Sequence, residues 1–114
     1  MLIKRFEDIL AWQKALDLTK ECYVLFGESK DWGFKDQILR ASVSIMNNIA
    51  EGFERKSKNE FKHFLSIAKG SCGEVRSMIT LAKELKKINQ TQYNKLFTQS
   101  EEISKMLSAL IKTL

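Results

Sequence analysis

The chain has one histidine, and it stands in the run Glu60-Phe-Lys-His63. On a helix this spacing sets a carboxylate and an imidazole one turn apart on the same face, the unit that di-iron carboxylate bundles use to hold metal. Such a site needs two of these units and two further Glu on facing helices, so one His cannot complete it within a subunit. Glu60 also has a simpler role. Ser57-Lys-Asn-Glu60 is a capping box, in which each side chain satisfies an orphan backbone donor at a helix start. No metal is expected. A Ser-His-Asp or Cys-His pair would again have to use His63, and nothing marks a nucleophile elbow or an oxyanion loop. No Gly-rich phosphate loop is present either. Gly70-Ser-Cys-Gly73 falls in mid-helix, where each Gly costs roughly 0.8–1 kcal/mol relative to Ala. Its small residues would admit a bulky neighbour such as Trp12, a close-packed helix, or a bound ligand or partner. Cys22 and Cys72 lie in apolar helical stretches and are expected to be buried structural thiols. The residues point away from an enzyme and call for no cofactor.

Two features remain. Ser42, Ser44, Asn47, Asn48 and Glu51 form a polar cluster among apolar positions. Ser44 and Asn48 border the core stripe and need partners if buried, so a structural network of Ser44, Asn48 and Glu51 is expected, with Arg40 or Arg55 as partner. The second feature is charge. Between Arg55 and Lys87 the chain has nine basic and three acidic residues, against ten basic and eleven acidic elsewhere. The net charge of +5 is therefore concentrated there. Lys62, Lys69, Arg76 and Lys83 are spaced by seven and so share one helix face, separated by Ser66, Gly73 and Thr80. Glu60, Glu74 and Glu84 fall off this line. A solvated face usually mixes signs, because Glu–Lys pairs four apart support a helix. The line, continued by Lys87 and approached by Arg55, Lys56 and Lys58, is a candidate site for a nucleic-acid backbone. Lys83, Lys86 and Lys87 would also complement the negative end of the helix dipole. No aromatic residue interleaves the line, so base stacking is not expected.

These residues need elements to position them. The 114-residue chain is long enough for one domain, residues 1–114, with its own core. It contains no Pro, which fits uninterrupted helices better than a turn-rich β fold. Periodicity predicts helices at about 7–26, 34–51, 58–87 and 91–114. The expected core stripes are Ile9, Trp12, Leu16, Tyr23 and Phe26; then Ile38, Ala41, Ile45 and Ile49; then Phe61, Leu65, Ala68, Cys72, Val75, Ile79 and Ala82; and last Tyr93, Leu96, Ile103, Leu107, Leu110 and Leu114. Thr19 fills a gap in the first stripe. Gly27 and Gly52 are read as stops, and 28–33 as a loop. Short connections make successive helices antiparallel neighbours, so the fold class is all-α, an antiparallel up-down four-helix bundle. Trp12 is expected inside it. Leu10, Leu18, Val24 and Leu25 of the first helix, and Phe64, Ile67, Met78 and Leu81 of the third, exceed one apolar stripe and predict self-association. The start of the chain, Met1 to Asp8, reaches acids before any long apolar run and is no signal peptide. No stretch approaches the roughly 18 apolar residues of a membrane span, so a cytoplasmic protein without membrane contact is expected.

Trp12-Gln-Lys-Ala15, Gln37-Ile-Leu-Arg-Ala-Ser-Val-Ser44, Ile45-Met-Asn-Asn-Ile-Ala-Glu-Gly52 and Phe64-Leu-Ser-Ile-Ala-Lys-Gly-Ser71 together carry a family resemblance. The chain resembles, over nearly its whole length, the four-helix-bundle proteins encoded in intervening sequences of bacterial large-subunit (23S) ribosomal RNA genes. It departs from them at Met46, where the family often has Pro, which should straighten the second helix locally. The resemblance implies an antiparallel bundle assembling as a homo-oligomer, often a pentameric ring. It also implies a relationship to the accessory protein of diversity-generating retroelements, which binds nucleic acid and a reverse transcriptase. Two functions are expected to compete: a non-enzymatic oligomer binding RNA or DNA, or an adaptor bundle whose basic face pairs with an acidic protein partner.

Overall fold

The absence of Pro leaves helix ends to be set by caps, and the computed structural model, which describes residues 2–114 with Met1 lying outside them, shows which caps act. A 3-10 turn at Phe6–Asp8 precedes α1 (Leu10–Phe26), α2 (Trp32–Phe53), α3 (Lys58–Glu84) and α4 (Gln90–Lys112). The described residues contain no strand. The side chain of Asp31 accepts from Phe34 N, starting α2 two residues earlier than the periodicity predicts and placing Trp32 and Gly33 in its first turn. The Ser57 side chain accepts from Glu60 N as expected, but the reciprocal bond from Glu60 is not formed. The complete capping box is at α4 instead, where Asn89 and Gln92 bond to each other's backbone N–H. At the far end of α3, Lys86 takes φ 59°. Lys87 N donates to Ala82 O and Lys86 N to Lys83 O, the Schellman arrangement. α3 therefore ends at Glu84, three residues short of the predicted 87.

Each helix packs on its neighbours in sequence, α1 closes against α4, and α1 and α3 stand at diagonal corners. The result is an all-α four-helix bundle measuring 43 × 23 × 19 Å. The stripes expected for α2 and α3 are buried at every position. In α4, Leu96, Ile103 and Leu107 are buried with Ser100, while Tyr93, Leu110 and Leu114 are half-buried against the core.

α1 is rotated from its predicted register. Its inward face is Ala11, Ala15, Leu18, Thr19, Cys22 and Phe26, whereas Tyr23 is 51% exposed. Trp12 is half-buried at the bundle's flank, edge-on to Phe6 with ring centroids 5.2 Å apart. The physical reason is close approach. Small side chains let neighbouring helices come close: Thr19 Oγ1 donates to Ala15 O (2.8 Å) and reaches Ser42 O of α2 (3.1 Å), while Ala11 borders Met106, Ala109 and Leu110 of α4. Gly52 lies one residue before α2 ends at Phe53, and its role there is also close approach: an added Cβ would come 2.7 Å from Phe64 Cβ and 3.0 Å from Phe61 Cδ1. Only Gly lets α2 and α3 meet there.

Candidate nucleic-acid interface

α3 is buried along one face and flanked by α2 on one side and α4 on the other. On the α2 side, Ser44 Oγ and Ser71 Oγ share a hydrogen bond of 2.9 Å, and Asn48 Nδ2 donates to Ser44 O (2.8 Å) and Ser44 Oγ (3.0 Å). Ser42 is fully buried and donates to Leu39 O. Glu51 stands apart from this knot and is held by Arg55 at 2.8 Å. Arg40 lies in a separate cleft with Asp36, Gln37 and Glu74 and forms no ion pair within 4 Å.

The cationic line lies on the other flank. Lys62, Arg76 and Lys83 are half-buried and Lys69 is exposed. None of the four meets a carboxylate within 4 Å among the described residues, whose ion pairs use Arg5, Lys14, Arg55, Lys87 and Lys95. Arg76 Nε is closed off from solvent without a hydrogen-bond partner. Lys83 Nζ sits 4.3 Å from the centroid of the Tyr93 ring, and Tyr93 OH lies 3.5 Å from Thr80 Oγ1. An aromatic ring does therefore border the line, contributed by α4. Its cationic neighbour occupies a face that a base would need for stacking.

Two residues assigned to the line are drawn away from it. Lys87, turned by the Schellman ending, pairs with Asp31 at 3.1 Å beside the Phe34 ring. That bond, followed by the Phe34 N–H, holds the Asp31 carboxyl below its ordinary value. Arg55 is engaged by Glu51 and by the Phe64 ring, 4.9 Å from its centroid. Two others were missed. Lys105 and Lys112, seven apart on α4, line a cleft with Lys69, Ser104, Ser108 and Ala109. Their spacing is visible in sequence, but only the antiparallel register of α3 and α4 brings them to Lys69.

Gly70 has no atom within 4 Å of an added Cβ, and Gly73 meets only Arg76 Nη2 at 3.8 Å. Neither receives Trp12 or a close helix within the subunit. Burial pushes both the Cys22 and Cys72 thiols up to about 12. Both are free and buried, which suits packing rather than nucleophilic chemistry. No group of three or more potential metal ligands occurs among the described residues. No helix among them is long and apolar enough to cross a membrane.

Comparison with known proteins finds a family and a similar fold. No curated protein matches the chain. A solved structure from Bacteroides thetaiotaomicron, described as a protein of unknown function from the S23 ribosomal protein family, is similar with a TM-score of 0.85 and 29% identity. That similarity covers 90% of this chain and 99% of the other. The 23S rRNA-intervening sequence protein family matches residues 7–109. Since that span takes in nearly all of the four helices and the related structure has the same fold, the chain belongs to the 23S rRNA-intervening sequence protein family.

Proposed function

We propose that this protein is a non-enzymatic oligomer that binds the phosphate backbone of RNA or DNA along the flank where α3 meets α4. The observation that carries this reading is the set Lys62, Lys69, Arg76 and Lys83, which runs along one helix with no acidic partner. Residues 62 to 83 cover roughly 30 Å at about 1.5 Å per residue, the reach of several phosphates. Four cations in a row repel one another, and a polyanion would relieve that repulsion while releasing its counterions. Contacts of this kind carry little sequence information.

Assembly is supported by apolar side chains at opposite corners. Leu10, Tyr23 and Val24 are exposed on α1, and Ile67 and Leu81 on α3, while Leu18 and Met78 belong to the core. Two unlike patches on diagonal helices suit a head-to-tail contact, which closes into a ring when the rotation allows. The number five comes from the family resemblance. A ring would repeat the cationic flank and strengthen binding by avidity.

The test is nuclease-treated pure protein titrated into labelled RNA and duplex DNA, beside Lys69→Glu/Arg76→Glu. The parent should bind both, and the variant should lose most binding while keeping its helicity and solution mass. An acidic protein that stays bound after nuclease treatment, with no nucleic-acid binding, would replace this reading by an adaptor role. Sedimentation as a monomer at micromolar concentration would remove the oligomer from it.

A further inference from the structure

We infer that the cleft of about 430 Å³ lined by Lys69, Ser104, Lys105, Ser108 and Lys112 is a subsite for a phosphate group more highly charged than a backbone diester. The ligand class is the phosphorylated end of a nucleic-acid strand or a free oligophosphate, which share this chemistry. The inference rests on the reading that the α3/α4 flank meets phosphates, and it concerns a different part of that flank.

Charge matching supports it. Along α3 alone the cations stand in single file, about 10 Å apart at 1.5 Å per residue, and meet a strand one charge at a time; at Lys69 a second helix adds its own cations beside that file. In the cleft Lys69 of α3 is joined by Lys105 and Lys112 of α4, and no acidic residue lines it. A terminal phosphate carries about −1.5 to −2 at neutral pH, and with its neighbouring diester approaches the charge of three lysines. Lys69, Lys105 and Lys112 all lack a carboxylate partner within 4 Å.

The hydroxyls point the same way. Ser100 of α4 donates to Phe97 O, and Thr113, just past the helix end, donates to Leu110 O, the usual back-bonds to the preceding turn. Ser104 and Ser108 make no such bond and stand one turn apart at the cleft, each with a donor to offer. Hydroxyl donors and rotatable ammonium groups together can satisfy the oxygens of a terminal phosphate, which a lysine cluster alone would meet only as point charges. The C-terminal end of the α4 dipole opposes an anion here, and Lys112 in the last turn offsets it.

The experiment compares two RNA 12-mers of one sequence, 5′-hydroxyl and 5′-phosphorylated, and inorganic tripolyphosphate, on the parent and on Lys105→Ala/Lys112→Ala. The phosphorylated 12-mer should bind about tenfold tighter than its hydroxyl twin, as expected for added charge-assisted hydrogen bonds. The double variant should bring that ratio close to one while retaining its circular dichroism spectrum. Tripolyphosphate binding that the variant loses, without any preference between the RNA ends, supports the subsite with a free oligophosphate as its ligand. If RNA does not bind but tripolyphosphate does so through Lys105 and Lys112, the backbone reading fails and the subsite stands. If both RNAs bind equally and tripolyphosphate does not bind, the subsite is overturned and the backbone reading survives. A preference that persists unchanged in the double variant also overturns it, and no binding of any probe overturns both.

Discussion

The two flanks of α3 are built from the same helix and treat polar groups in opposite ways. Toward α2, polar atoms close on one another: Ser44 with Ser71, and Asn48 with Ser44. Toward α4, Lys62, Lys69, Arg76 and Lys83 run without a carboxylate partner. Groups that satisfy each other inside the fold specify how helices dock. Groups left unsatisfied at a surface are available to something outside it. The first seam is explained by stability, whereas the second has no such internal account.

The comparison breaks most readily at Gly52. A side chain there must displace Phe64 and Phe61, so Gly52→Val should cost roughly 2–3 kcal/mol in urea unfolding. Ser71→Ala leaves Ser44 short of a partner and should cost about 1 kcal/mol. A double-mutant cycle with Ser44→Ala should show a coupling of at least 0.5 kcal/mol, roughly the lower range for residues in contact. A coupling of zero would mean that the closed seam is no more knit than the open one.

The end of α3 sharpens the contrast. Lys86 closes the helix in a left-handed conformation that disfavours any residue with a Cβ, and it turns Lys87 onto Asp31. Lys86→Gly should therefore raise stability by about 0.5–1 kcal/mol in thermal melts, with nucleic-acid binding unchanged. The smallest effect is expected where cations already have acidic partners. Arg55→Ala and Lys87→Ala should each alter the slope of log K against log salt by less than the loss of one full phosphate contact, about 0.9. A larger change at either position would merge the paired cations with the unpaired ones.

The parts legible in the sequence are those where large apolar residues mark the buried face. α3 presents Phe61, Leu65, Val75 and Ile79 at regular steps, and α2 presents Ile38, Ile45 and Ile49; both registers can be read directly. α1 hides its inward face behind small residues. Ala11, Ala15, Thr19 and Cys22 are buried where neighbouring helices come close, while the larger Trp12 and Tyr23 lie off the inward face. Gly52 is ambiguous in the same way, since a helix stop and a close helix contact both select Gly. The cationic line could be placed on one face from its seven-residue spacing. Its occupancy could not, because the pairings of Lys87 with Asp31 and of Arg55 with Glu51 and Phe64 depend on caps and helix contacts. That Lys105 and Lys112 line one cleft with Lys69 depends on the register between two helices, which no single helix encodes.

The central claim is that the α3/α4 flank meets phosphates through its unpaired cations, and the salt dependence of binding tests it most directly. Affinity for a short duplex should be measured from low to moderate salt for the parent and for Lys69→Glu/Arg76→Glu. If four cations of one subunit each neutralise a phosphate, the parent's slope of log K against log salt should be about −3.6. The double variant should lose most affinity at every salt concentration, with a slope nearer zero and its helicity intact. A double variant that binds as tightly as the parent at low salt, with the same slope, would contradict the account and leave the flank a solvated face.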